Sequence, residues 1–235
     1  NTDAYLYEHE KTQAKLVFLK NDDINKSFSI SFKTVPYSDN GIFHILEHSV
    51  LCGSAKYPVK EPFVELLKGS FNTFLNAMTF PDKTMYPVSS KNEKDLEILM
   101  DIYLDAVFNP NLKNNPNILA QEGWHYHLED KKDDLIYKGV VYNEMKGAYS
   151  SVDEVLDQYV TEHLFSDTSY KYSYGGKPEA IPSITQEEFL STYDYNYHPS
   201  NSYIVLYGDI NVEQYLNHID SYLNNYKYRD YSSYK

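Results

Sequence analysis

GIFHILEHSVLCGS, residues 41–54, is apolar on nearly every side when wound into a helix, because Ile42, Phe43, Ile45, Leu46, Val50 and Leu51 are spread around the axis. A helix apolar on all faces is normally buried. Yet His44, Glu47 and His48 stand in its middle, and buried polar groups are costly without partners. Around this core helix the chain supplies strands. Residues 14–20 (AKLVFLK) and 27–35 (SFSISFKTV) read as two of them. In the second, Phe28, Ile30 and Phe32 alternate with polar residues, as in a half-buried antiparallel strand. FNTFLNAMTF (71–80) and KTMYPV (83–88) flank a turn at Pro81-Asp82, and SYIVLYG (202–208) reads as a buried strand.

The clearest helix covers residues 89–108, with Leu96, Leu99, Met100, Tyr103, Leu104 and Val107 at helical spacing behind a Ser cap. A short helix is expected over 60–70, stopped by Gly69. Another near 116–122 leads into a strand at 124–129, and helical patterns return at 138–149, 152–164, 186–194 and 211–223. Asp39, in SDNG (38–41), is the candidate cap for the central helix. Strands and helices mixed without regular alternation point to an α+β fold with an antiparallel sheet. One domain is expected over 1–224. Residues 225–235 carry no periodicity and read as a linker-like tail towards further domains.

The 235 residues suffice for one large domain with a substantial core, and 42% hydrophobic with 23% charged is ordinary for a globular protein. A net charge of −13 argues against nucleic acid as the main partner. No apolar run reaches the ~18 residues of a membrane span. A single cysteine excludes an internal disulfide and fits a reducing compartment. The 25 tyrosines are read as compositional bias.

His44 and His48 are four apart and project from one helix face a turn apart. Two imidazoles so placed suit one metal ion, with ring nitrogens at roughly 2.0–2.1 Å if it is zinc. Glu47 lies beside them, so the string HILEH is H-x-x-E-H, the inverse of H-E-x-x-H. Cys52 is eight residues beyond His44, about 12 Å along a helix axis, too far to converge with both histidines. It is expected to be a small buried residue. Two carboxylates compete to be the third ligand. Glu144 stands on the apolar stripe of its helix with Val140, Val141 and Ala148, and Glu122 stands likewise with Ile118 and Leu119. Local pattern does not separate them. His125 and His127 alternate on one strand face and read as structural, and His9, His163, His198 and His218 have no partner pattern.

GIFHILEHSVLCGS, FNTFLNAMTFPDKTMYPV, QEGWHYHLE and YKGVVYNEMKGAYSS, in this order over residues 5 to 210, resemble the presequence-protease and falcilysin branch of the insulinase (pitrilysin) superfamily. The resemblance implies an α+β domain with helices mainly on one face of its sheet. It also implies a zinc peptidase acting on short unstructured peptides in a bacterial cytoplasm or an organelle matrix. It makes His44, His48 and Glu144 the zinc ligands and Glu47 the general base. The 96 positions from His48 to Glu144 suit this branch. It places Asn76 and Ala77 on a substrate-binding strand nearest the scissile bond. The second functional glutamate of other branches falls at Tyr137, so that role does not carry over. Such enzymes are four-domain chambers in which an Arg and a Tyr from the distant half complete the site. The expected partners are therefore peptides and downstream domains of the same parent chain. Other readings are a non-catalytic binding or scaffold module, which typically loses part of this motif, and a half-enzyme working with a separate chain.

Overall fold

In the computed structural model the described residues are 1–59 and 68–234. Strands β1 (Asp3–Glu8), β2 (Lys15–Lys20), β3 (Lys26–Lys33), β4 (Asn72–Leu75), β5 (Met78–Thr79), β6 (Lys83–Ser90), β7 (His125–His127), β8 (Ile136–Lys138) and β9 (Ser202–Gly208) are interspersed with helices without regular alternation. The main sheet runs β1-β2-β9-β3-β6-β4, with β5 also on β6, while β7 and β8 form a separate hairpin. Alternation decides which face is covered. Leu16 and Phe18, then Phe28, Ile30 and Phe32, then Tyr86 and Val88, then Ile204 and Leu206 are buried, and the residues between them are half-exposed or exposed.

Among the described residues the helices include α1 (Ile42–Val50), α2 (Glu93–Phe108), α3 (Asn117–Glu122), α4 (Val140–Ala148), α5 (Val152–Leu164), α6 (Gln186–Asn196) and α7 (Val212–Leu223). Helix α2 packs on β3 and β6 through the apolar stripe read from its sequence, and α7 packs on α2. Helix α1 packs against α3, α6, β5 and β6. Its Ile42, Phe43, Ile45, Leu46, Ser49 and Val50 are buried, as all-round apolarity requires. Each large apolar side chain buried there stabilises the fold by about 1.5–3 kcal/mol.

The α+β architecture agrees with expectation, and several details differ. The sheet is mixed, because β2 pairs parallel to β9, with Lys15 opposite Tyr203. Asn92, not a serine, caps α2 by accepting from the Asp95 N–H at 3.0 Å, because β6 continues through Ser90. Asp39 does not cap α1. Its carboxylate accepts from the Ser173 N–H at 2.8 Å and pairs with Lys177 at 3.2 Å, tying residues 173–177 to the start of α1. Gly41 occupies the cap at φ 66°, and a Cβ there would lie 2.6 Å from the Gly175 oxygen, so only glycine lets that loop approach. Residues 60–67 of the expected 60–70 helix lie outside the described residues.

Residues 225–234 have neither helix nor strand, yet they lie against the domain. Tyr226 Oη donates to the Phe108 carbonyl, Arg229 to the Asp194 carbonyl, and Tyr234 Oη to Asn196 Oδ1. His198 is buried beneath them, edge-on to Tyr226. Burial, and then the positive charge of Arg229, lower its pKa to about 4. The unfolded chain therefore binds a proton between about pH 6.5 and 4 that the folded chain does not. Stability is fully present above pH 6.5 and falls as pH drops towards 4, by at most about 3 kcal/mol. His198→Asn retains an acceptor for the Ser200 N–H and should flatten this part of the profile. Denaturant melts of both proteins across that window check it; equal slopes would remove His198 from the acid response.

Candidate metal centre

Helix α1 shows its histidine edge to a cleft of about 680 Å³, also lined by Glu47, Asn76, Ala77, Thr79, Glu122 and Glu144. His44 Nδ1 lies 3.0 Å from the Gly175 carbonyl, which can only accept, so Nδ1 carries the proton and Nε2 keeps its lone pair. Met145 fixes this loop from the other side: a Cβ on Gly175 would lie 2.8 Å from its Cε. His48 Nδ1 faces Glu122 Oε2 at 3.5 Å, turning its Nε2 the other way. There His44 Nε2 and His48 Nε2 each lie 3.7 Å from Glu144 Oε2. One ligand atom from each of the three residues lies within 4.8 Å of the others.

These distances are too long for hydrogen bonds. They are close to the roughly 3.4 Å ligand separations of a tetrahedral zinc site with ~2.05 Å bonds. Two imidazole lone pairs and a carboxylate oxygen directed at one point repel unless a cation lies between them. The donor set fits zinc.

The acid-base balance reflects the same crowding. Burial alone lowers the His48 pKa, but Glu122 and the negative charges of Glu47 and Glu144 outweigh it, and the net shift is upward. Burial raises Glu122, yet His48, Gln121 and Cys52 acting together hold it below the ordinary range. Glu47 is buried, and its Oε2 accepts from Thr79 Oγ1 at 2.9 Å.

The stripe argument put both competing carboxylates in the interior, and the structure corrects half of it. Glu122 is buried, with a side chain 9% exposed, whereas that of Glu144 is 55% exposed. Glu144 shares its helix face with Val140, and both line the cleft, while Val141 and Met145 face the core. Cys52 is half-buried and donates to Glu122 Oε1 at 3.3 Å. The strand expected over 71–80 breaks between β4 and β5, at Asn76 and Ala77. Asn76 turns its backbone inwards, its N–H to the Pro87 carbonyl and its carbonyl to Tyr103 Oη. Burial, then the Glu47 charge, hold the Tyr103 phenol well above its usual range, so it remains a donor. His125 and His127 are engaged locally, with the Ala120 carbonyl and Glu129. Gly175 and Thr79 were not singled out from the sequence. A backbone carbonyl has no side-chain signature, and Thr79 reads as an ordinary strand residue.

The family described as Insulinase (Peptidase family M16) matches residues 36–177, and the Peptidase M16 inactive domain matches 183–234. The chain is 57% identical to Protein HypA of Clostridium perfringens, over 97% of its own length and 23% of that protein. It is 51% identical to Presequence protease 1, chloroplastic/mitochondrial, of Arabidopsis thaliana, over 94% of its own length and 20% of that protein. It thus spans about a fifth to a quarter of these relatives. The crystal structure of pitrilysin superposes with a TM-score of 0.72 at 16% identity, covering 97% of this chain and 23% of pitrilysin. The family match over residues 36–177, more than half of the chain, establishes that this chain belongs to the insulinase family, peptidase family M16.

Proposed function

We propose that this chain is the zinc-binding catalytic domain of a metallopeptidase acting on short unstructured peptides. The observation that carries the reading is the convergence of His44 Nε2, His48 Nε2 and a Glu144 oxygen, from two separate helices, on one point of the cleft. These three residues would hold the ion. When bound, zinc supplies a Lewis acid that draws electron density from an oxygen and offsets negative charge developing on it.

The chain's own groups do the rest. Glu47 is the general base: Thr79 occupies Oε2, leaving Oε1 to take the proton of the attacking water and return it to the leaving amine. The Gly175 carbonyl keeps the His44 ring in the tautomer that presents Nε2. Asn76, through its exposed side chain, and Ala77, at the break in the sheet edge, are the proposed contacts for an extended peptide, with backbone pairing left to the strands on either side. Backbone pairing along such an edge selects unfolded substrates by shape more than by sequence. The remaining domains of a longer parent chain are the proposed partners, and a bacterial cytoplasm or organelle matrix the proposed setting. Among the described residues no helix is long and apolar enough to cross a membrane.

Glu144→Gln tests the reading. A neutral amide is a poor ligand and leaves the ion less neutralised, so zinc affinity should fall by about 100-fold or more, beyond the ~10- to 100-fold lost when only a ligand's hydrogen-bond partner is disturbed. Because Glu144 is more than half exposed, the melting temperature of the metal-free protein should hardly move. Competition with a chromophoric chelator measures the first and calorimetry the second. Unchanged zinc binding would remove Glu144 from the ligand set.

A further inference from the structure

Glu122 is a buried carboxylate with no role in the proposed chemistry, and its surroundings are specific. Gln121 Nε2 donates to its Oε1 at 2.7 Å and Cys52 Sγ to the same oxygen at 3.3 Å. The other oxygen, Oε2, faces His48 Nδ1 at 3.5 Å, the outer edge of hydrogen-bond range. The carboxylate is thus clamped on one side and aimed at the histidine on the other. It sits across the His48 ring from Glu144, whose oxygen faces Nε2. His44 has the equivalent partner in a backbone carbonyl. His48 has this side chain.

We infer that Glu122 is the positioning residue for His48: it holds the proton on Nδ1 and so keeps the Nε2 lone pair turned towards the metal point. The inference rests on the zinc reading. An imidazole ligand needs its second nitrogen protonated and oriented, and carboxylates commonly serve there. An anionic acceptor also strengthens the donor nitrogen opposite it. Glu122 touches neither substrate nor ion in this role; it acts through His48.

The local hydrogen bonds make the substitution informative. In Glu122→Gln, the amide oxygen should stay where Gln121 and Cys52 donate, placing the amide NH2 against His48 Nδ1. A donor there makes Nδ1 the acceptor and moves the proton to Nε2, the nitrogen required for binding. Zinc affinity should fall by about 10- to 100-fold. In the metal-free protein at a pH where the ring is neutral, nitrogen-15 NMR should report His48 switching from the Nδ1–H to the Nε2–H tautomer. A merely structural role for Glu122 would leave that tautomer unchanged. Glu122→Asp keeps the anion one methylene short and should retain the Nδ1–H tautomer with an intermediate loss of affinity; it also serves if the glutamine variant does not fold. Glu144→Gln is measured alongside. Wild-type affinity and tautomer in both Glu122 variants, with zinc still lost from Glu144→Gln, would overturn the inference and leave the ligand assignment standing. Zinc lost from Glu122→Gln but retained by Glu144→Gln would instead make Glu122 the ligand and sink both.

Discussion

Glu47→Gln in the full-length parent should keep stoichiometric zinc and lose peptide turnover by at least ~100-fold, within the range attributed to a positioned general base. The two effects separate because Glu47 lies outside the convergence point of His44, His48 and Glu144. The change should not harm folding. Glu47 is buried with Thr79 as its hydrogen-bond donor, and a glutamine oxygen accepts from the same hydroxyl without the burden of a buried charge. Three measurements are needed on one preparation: metal content, melting temperature and kcat. Normal zinc and a wild-type rate would take Glu47 out of the mechanism. Lost zinc would make it part of the ligand shell.

The 235-residue chain by itself should bind zinc and cleave an unstructured peptide at least ~100- to 1,000-fold more slowly than the parent. That factor is typical of removing one donor to a developing oxyanion, and loss of substrate register would add to it. Two sets of observations motivate this. The resemblance to long, closed peptidases implies that an Arg and a Tyr from a distant half complete the site. The structure, for its part, leaves the cleft uncovered: Asn76 is exposed and Glu144 largely so. Helix α5 carries an apolar stripe of Val152, Val155, Leu156, Tyr159, Val160 and Leu164, all exposed. Side-by-side kcat/KM values on one peptide, with equal zinc loading, decide the matter. Equal values would mean the chain carries everything the reaction requires.

What was legible in the sequence follows from what is local. Helix α1 was legible because five large apolar residues surround one short axis and leave only the histidine edge open. Helix α2 and strands β3 and β9 were legible because their burial repeats with the period of their geometry. Strand β1 was not: it is an exposed edge with no buried alternation, marked as a strand only by pairing with β2. Strand β8 was missed for the same reason, three residues held by the β7 hairpin. At the site, the spacing of His44, Glu47 and His48 is a property of one helix, so it could be read directly. The choice between Glu122 and Glu144 could not. Each stripe says which helix face a carboxylate occupies, and only tertiary packing says that one face meets Nδ1 and the other Nε2. The resemblance chose Glu144, whose Oε2 lies 3.7 Å from Nε2 of both histidines.

The parallel pairing of β2 with β9 bears on how the chain is made. Strand β9 lies between β2 and β3, so among the described residues these two strands are joined by a strand about 170–190 residues later. Non-local closure of this kind slows folding and prolongs the exposure of unpaired edges. At ribosomal rates of about 5–20 residues per second, β2 and β3 emerge roughly 10–40 seconds before their common neighbour exists. The helix carrying His44 and His48 belongs to the core that this late strand completes. A nascent chain would therefore display both histidines well before Glu122, Glu144 and the strand that completes the sheet beneath them have emerged.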